Sequence, residues 1–212
     1  MKPILFNTEM VRAILEGRKC VTRRLIKPRY RDDECGFQVI TNAHTGEFIR
    51  VEKVSDQGCG IFPDGSERHV APPYRAGDIL YVRETWRVKK AGYPPRHCEI
   101  EYKAGGTEKF NEIIALPTAK GKWKPSIHMP KEAARIFIRV KYCRPERLRD
   151  MVLADVLMEG VTEGDSYKDT WKRWHDLWDS TIAPADLPDY GWEANPWVWA
   201  IRFERCEKPQ EV

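Results

Sequence analysis

Long apolar runs, closely spaced cysteine pairs and a large surplus of one charge are all absent from this sequence of 212 residues. No stretch reaches the roughly 20 apolar residues that a membrane-crossing helix needs, and the opening Met1-Lys2-Pro3-Ile4-Leu5-Phe6 is too brief for a secretory signal. A cytoplasmic protein with no membrane partner is expected. Six cysteines are present, Cys20, Cys35, Cys59, Cys98, Cys143 and Cys206, without a Cys-x-x-Cys pair. A chain of this length does not depend on disulfide staples, so reduced thiols are expected. Cys35, His44, Cys59 and His69 could be drawn into a zinc set only at spacings that match no compact knuckle, so no metal is expected. Lysine and arginine number 36 against 32 aspartate and glutamate, a formal net charge of +4. That balance permits a polyanionic partner without demanding one. A glycine-rich phosphate loop, a Gly-x-Ser-x-Gly elbow and His-Glu-x-x-His are missing as well, which leaves the common nucleotide-triphosphate and hydrolase motifs unsupported. No cofactor is expected.

What is present suffices for one core: 42% of residues are hydrophobic and 11% aromatic, too many for a disordered chain. The length suits a single domain over residues 1–212. Ile4 to Phe6 reads as a short strand, after which Asn7-Thr8 offers an N-cap to a helix over Glu9 to Glu16 that Gly17 stops. The stretch 28–72, rich in glycine and proline, reads as a peripheral, loop-rich insertion with one hairpin made of Phe37 to Ile40 and Phe48 to Val51. Segments from Asp78 to Trp86, Cys98 to Lys103, Ala134 to Lys141 and Trp197 to Phe203 read as half-buried antiparallel strands. Between the last two, one helix runs from Asp150 to Met158 and stops at Gly160. A second carries Tyr167, Trp171, Trp174 and Trp178 on one face, a stripe that reads as core. The expected fold class is α+β, a small and mostly antiparallel β-barrel with flanking helices.

The most unusual segment is Gly17-Arg18-Lys19-Cys20-Val21-Thr22-Arg23-Arg24, which with Lys27 sets five cations directly after a helix stop. One reading is a solvated basic edge strand. The other is chemical: like charges from Arg18, Arg23 and Arg24 disfavour the ammonium form of Lys19, and a neutral amine is a usable base. A lysine so placed would add little folding energy. Its cations, with Lys122, Lys124 and Lys131, would form one positive face. In a regular strand Lys19 and Thr22 point to opposite faces, so their joint action needs the loop that Gly17 permits. A second cluster, Trp123-Lys124-Pro125-Ser126-Ile127-His128-Met129-Pro130-Lys131, presents Trp, Ser, His and cations on a proline-stiffened loop. His128 is either a structural histidine or a catalyst. Trp86, Trp123 and Trp192 lie off the helical stripe and suit either base stacking or core packing.

The run Gly17-Arg18-Lys19-x-x-Thr22-x-Arg24, the segment Gly77-Asp78-Ile79-Leu80-Tyr81-Val82-Arg83-Glu84-Thr85-Trp86 and the spacing Asp155-x-x-x-Glu159-Gly160 together resemble the ASCH family. The second cluster, with Leu177-Trp178-Asp179-Ser180 and Asn195-Pro196-Trp197-Val198-Trp199, resembles the longer ASCH proteins of phages and prophages. The resemblance implies a PUA-like barrel with a cleft for a nucleobase or RNA, and small bacterial members hydrolyse the acyl amide of N4-acetylcytidine. It implies catalytic roles for Lys19, Thr22 and Glu159, and a base site lined by Arg24 with Trp86, His128, Arg18 and Trp123. Amide hydrolysis needs a nucleophile, a base and a proton donor for the leaving amine, which Thr22, neutral Lys19 and Glu159 would supply. Glu159 at a helix C-terminus opposes the macrodipole, which favours a role over chance placement. A non-catalytic module for RNA or a modified nucleotide, and a ribonuclease using Lys19 and His128, stay open.

Overall fold

A computed structural model describes residues 1–26, 36–41, 48–54, 69–91, 98–110 and 121–209. Strand β1 (Lys2–Leu5) leads into helix α1 (Thr8–Leu15), whose first turn is capped by Asn7 Oδ1 accepting from the Met10 amide at 2.8 Å. Val11, Ala13 and Ile14 form its buried face. Gly17, at φ +78°, reverses the chain so that the Arg18 and Lys19 amides both return to the Ala13 carbonyl, and strand β2 (Val21–Leu25) follows.

Strands β3 (Gly36–Thr41), β4 (Phe48–Val54) and β5 (His69–Val70) come next, then β6 (Ile79–Arg83), β7 (Trp86–Ala91), β8 (Cys98–Tyr102) and β9 (Thr107–Phe110). The long strand β10 (Phe137–Arg147) precedes helices α2 (Leu153–Met158), α3 (Tyr167–Ser180) and the short α4 (Leu187–Tyr190), and strand β11 (Trp197–Cys206) ends the described fold. The class is α+β. A five-stranded sheet has the order β1-β6-β10-β11-β2, while β3-β4-β5 and β7-β8-β9 form separate three-stranded sheets. Among the described strands only the β1–β6 pairing is parallel. The expected hairpin of the insertion corresponds to β3 and β4, with β5 added on the other side of β4.

The segment read as one strand, Asp78 to Trp86, is two. It breaks at Glu84 and Thr85, so that β6 stays in the main sheet and β7 starts another. Glu84 is buried there and takes both Nε and NH2 of Arg135, at 2.8 and 2.9 Å. The Glu84 amide donates to Met129 Sδ at 3.2 Å instead of to a neighbouring strand, and the ladder of β6 ends there. The segment around β10 also departs from simple alternation. Ile136, Ile138 and Val140 enter a core with Ile4, Phe6 and Val11, whereas Phe137 faces a second core with Tyr81, Trp86 and Ile100. Both faces of the sheet are covered, so consecutive residues are buried. A third core holds Trp174 and Trp178 of α3 against Val156 and Val198, as the stripe predicts, although Tyr167 at its start is exposed.

The main sheet is strongly curled. Laid flat, its outer strands would lie about 19 Å apart at the usual strand spacing of about 4.8 Å. Yet Arg24 NH2 on β2 donates to the Leu5 carbonyl on β1 at 2.7 Å, across the open ends of the order. Among the described residues no helix is long and apolar enough to cross a membrane.

Candidate functional site

The segment before β2 lies against the end of α2. The Cys20 amide donates to the Met158 carbonyl at 2.9 Å, the Phe203 amide donates to the Cys20 carbonyl at 2.9 Å, and Lys19 and Glu159 form an isolated antiparallel bridge. Gly160, at φ +89°, makes this approach possible. A Cβ there would lie 2.7 Å from Ala13 Cβ and 2.9 Å from Lys19 Cβ.

Lys19 is enclosed: its side chain is 0% exposed, and that of Glu159 is 2%. Its Nζ donates to the Val21 carbonyl and the Glu159 carbonyl, each at 2.8 Å, and to Glu159 Oε2 at 2.6 Å. Three donors meet three acceptors. Burial drives the Lys19 pKa below its ordinary value; Glu159 opposes that shift, and Arg24 and Arg23 add to it. Glu159 caps the C-terminal end of α2, where a carboxylate opposes the helix dipole. Lys19 offsets this twice, by charge and by taking up one of the free carbonyls of the last turn.

Arg24, two residues beyond Thr22, lies 5.3 Å from the centroid of the Phe6 ring, and Lys19 Nζ lies 5.6 Å from the same centroid. Burial lowers the Arg24 pKa against the pull of Glu159. Thr22 is buried and pairs with Ile201 in the β2–β11 ladder. It is linked to Lys19 through the adjacent Val21 carbonyl, and the hydrogen bonds of Nζ run to that carbonyl and to Glu159, not to the threonine. Arg18 clamps the same turn from outside, donating to the Gly160 carbonyl at 2.7 Å and pairing with Glu16.

The remaining residues expected at the base site make no direct contact with the Lys19–Glu159 pair among the described residues. Trp86 is 0% exposed in the second core, so its indole is a packing element with no face open to a ligand. Trp123 is exposed with the Arg87 guanidinium 4.5 Å from its ring centroid, and His128 is exposed at the end of the 3-10 turn Ser126–His128. Among the described residues, no hydrogen bond, ion pair or ring contact joins Trp86, Trp123 or His128 to Lys19, Thr22 or Glu159. The loop from Trp123 to Lys131 instead adds to β7, through reciprocal amide bonds between Trp86 and Lys124.

The single positive face is corrected too. Lys19 and Arg23 point inward onto carboxylates and contribute nothing to a surface, because β2 buries Val21, Thr22 and Arg23 in succession. Lys27 lies outside the described residues, as do Cys35, His44 and Cys59. Sequence reasoning placed Arg23 beside Lys19 as a like charge but missed its burial and its acid partners, Glu146 on β10 and Asp155 on α2. A signal existed: in a strand Arg23 shares a face with apolar Val21, and a buried guanidinium must find acids. Among the described residues no three of His, Cys, Asp and Glu converge as a metal set.

At 2.6 Å the Lys19–Glu159 contact is a short, charge-assisted hydrogen bond between two side chains closed off from solvent. No family model, curated protein or solved structure matches the chain.

Proposed function

We propose that the chain is a cytoplasmic ASCH-type domain with a PUA-like barrel that hydrolyses the acyl amide of an N4-acylated cytidine or a related modified nucleobase. The observation that carries this reading is the hydrogen bond between Lys19 and Glu159, which joins residues from opposite halves of the chain beside Thr22 and Arg24. The curled sheet supports the barrel. In the reaction Thr22 Oγ attacks the acyl carbon while neutral Lys19 takes the hydroxyl proton. Glu159 serves as proton donor to the exocyclic nitrogen as the C–N bond breaks, resupplied by the proton that Lys19 took up. Water then cleaves the acyl-threonine ester and returns acid and enzyme. Arg24, held between Leu5 and Phe6, borders the base.

A second reading is favoured by one observation: all three donors of Lys19 are satisfied within the protein, as in an inert structural pair. On that reading the domain binds RNA or a modified nucleoside without reacting. The ribonuclease reading has less support, because among the described residues no hydrogen bond joins His128 to Lys19.

Incubation with N4-acetylcytidine, and separately with single-stranded RNA, tests these readings. Deacetylation by wild type is expected, with RNA left intact. Thr22→Val, nearly isosteric, should lower turnover at least about 1,000-fold while the thermal transition is kept. Retention of nucleoside without acetate release would establish the binding module, and cleaved RNA the nuclease.

A further inference from the structure

Arg23 stands where the Gly-x-Lys-x-x-Thr-x-Arg pattern leaves the residue open, yet in the buried cluster it faces three acids. Its side chain is 2% exposed. Nε and NH2 converge on Glu146 Oε1 at 2.8 and 2.7 Å, NH1 reaches Glu159 Oε1 at 3.1 Å, and NH2 lies 3.7 Å from Asp155 Oδ2. Glu159 is thereby held at both oxygens, one on Arg23 and the other on Lys19. Glu146 fixes the guanidinium from β10, so the aim of Glu159 is set by a strand that contributes nothing to the reaction.

We propose that Arg23 is a positioning residue for the Lys19–Glu159 pair: anchored on Glu146, it holds the Glu159 carboxylate toward Lys19 and keeps a fixed cation beside both. This rests on the hydrolase reading for its catalytic meaning and on geometry alone for its physical content. The groups facing the pair come from every neighbouring element. Arg23 and Arg24 lie on β2, Asp155 on α2, and Glu146 on β10, where its second oxygen takes Arg144 Nε at 3.4 Å. Arg18 holds the turn from outside, with Glu16 as its own counter-ion. Lys19, Arg23 and Arg24 formally balance Glu146, Asp155 and Glu159, so removal of any one charge is felt by the rest. Burial works against the charge on Arg23, but Glu159 and Glu146, with Asp155, more than offset it and raise its pKa. Arg23 is thus a permanent cation, and a permanent cation beside an ammonium eases its deprotonation.

The test is an NMR titration of the Lys19 amine in the full-length chain, in wild type and in Arg23→Gln, Arg23→Lys and Glu146→Gln, with the pH profile of deacylation recorded beside it. Arg23→Gln should raise the midpoint by about one pH unit, and the acid limb of the rate profile should move with it. Arg23→Lys keeps the charge and should return the midpoint close to wild type. Glu146→Gln removes an anion and should shift the midpoint down. These opposed shifts distinguish an electrostatic positioner from a structural brace, whose loss would only release Glu159 from Lys19 and so lower the midpoint. An unmoved or lowered midpoint in Arg23→Gln overturns the proposal. Should that variant not fold, an unmoved midpoint in Glu146→Gln overturns it equally. A wild type that deacylates nothing while its midpoint follows Arg23 overturns the hydrolase reading and supports this one.

Discussion

A lysine with no exposed side-chain surface is uncommon, and Lys19 shows how the cost is met. The crowd of cations visible in the sequence suggests that it adds little to folding, but its environment is three acceptors, not three arginines. Lys19→Met should therefore destabilise the fold by about 3 kcal/mol in urea unfolding, because Glu159 Oε2 and two carbonyls lose a buried donor. The pH dependence has a definite sign. The Lys19 pKa in the fold lies below its ordinary 10.5, so between those two values the unfolded chain binds the additional proton and stability rises with pH. That alkaline gain should be missing in Lys19→Met. The meeting of Lys19 with Glu159 came from resemblance to a family pattern; no periodicity could bring together residues so far apart in sequence. The acid partners of Arg23 were hidden for a different reason: they sit on β10 and α2, and only the tertiary fold names them.

Among elements, the turns were more legible than the strand ends. Gly17 was recognisable as a helix stop because α1 has a clear cap and a clear apolar face. Gly160 was recognisable as a stop too, but its second task, letting Ala13 and Lys19 approach, depends on packing that a one-dimensional pattern does not contain. Gly160→Ala should cost about 2 to 4 kcal/mol, combining a left-handed backbone with a methyl forced against two side chains. A fall in melting temperature accompanied by a shifted Lys19 amine signal is expected, and a melting temperature equal to wild type would show that α1 and α2 are free to separate. The β6–β7 break was illegible because Glu84 in a run of strand-forming residues looks like a solvent-facing position. Only Arg135, brought from beyond the loop that joins β7, explains its burial.

For the molecule as a whole, the α+β class followed from alternating segments and two helical patterns, whereas the division into three sheets did not, since ladders are pairings between distant segments. In the stretch read as an insertion, the described strands β3, β4 and β5 form a sheet of their own, although β4 lies against β10. Its exit is tied down: Tyr74 donates its hydroxyl proton to the Pro3 carbonyl at 2.9 Å, and Lys2 Nζ donates to the Pro73 carbonyl at 3.0 Å. Replacing residues 28–70 by a flexible linker, with 71–74 kept, should leave one cooperative unfolding transition in calorimetry. Loss of cooperativity would make β4 part of the core. The order β1-β6-β10-β11-β2 carries a consequence for how the protein is made. Strand β2 holds Lys19's neighbours, but its ladder partner is β11, with Thr22 opposite Ile201, so on a ribosome it emerges long before anything exists for it to pair with. The apolar side of β2 and the charges beside it must wait, unpaired, for nearly the whole chain. Synthesis should therefore yield no active fragment, and folding should be a late, slow event in which sheet and site appear together.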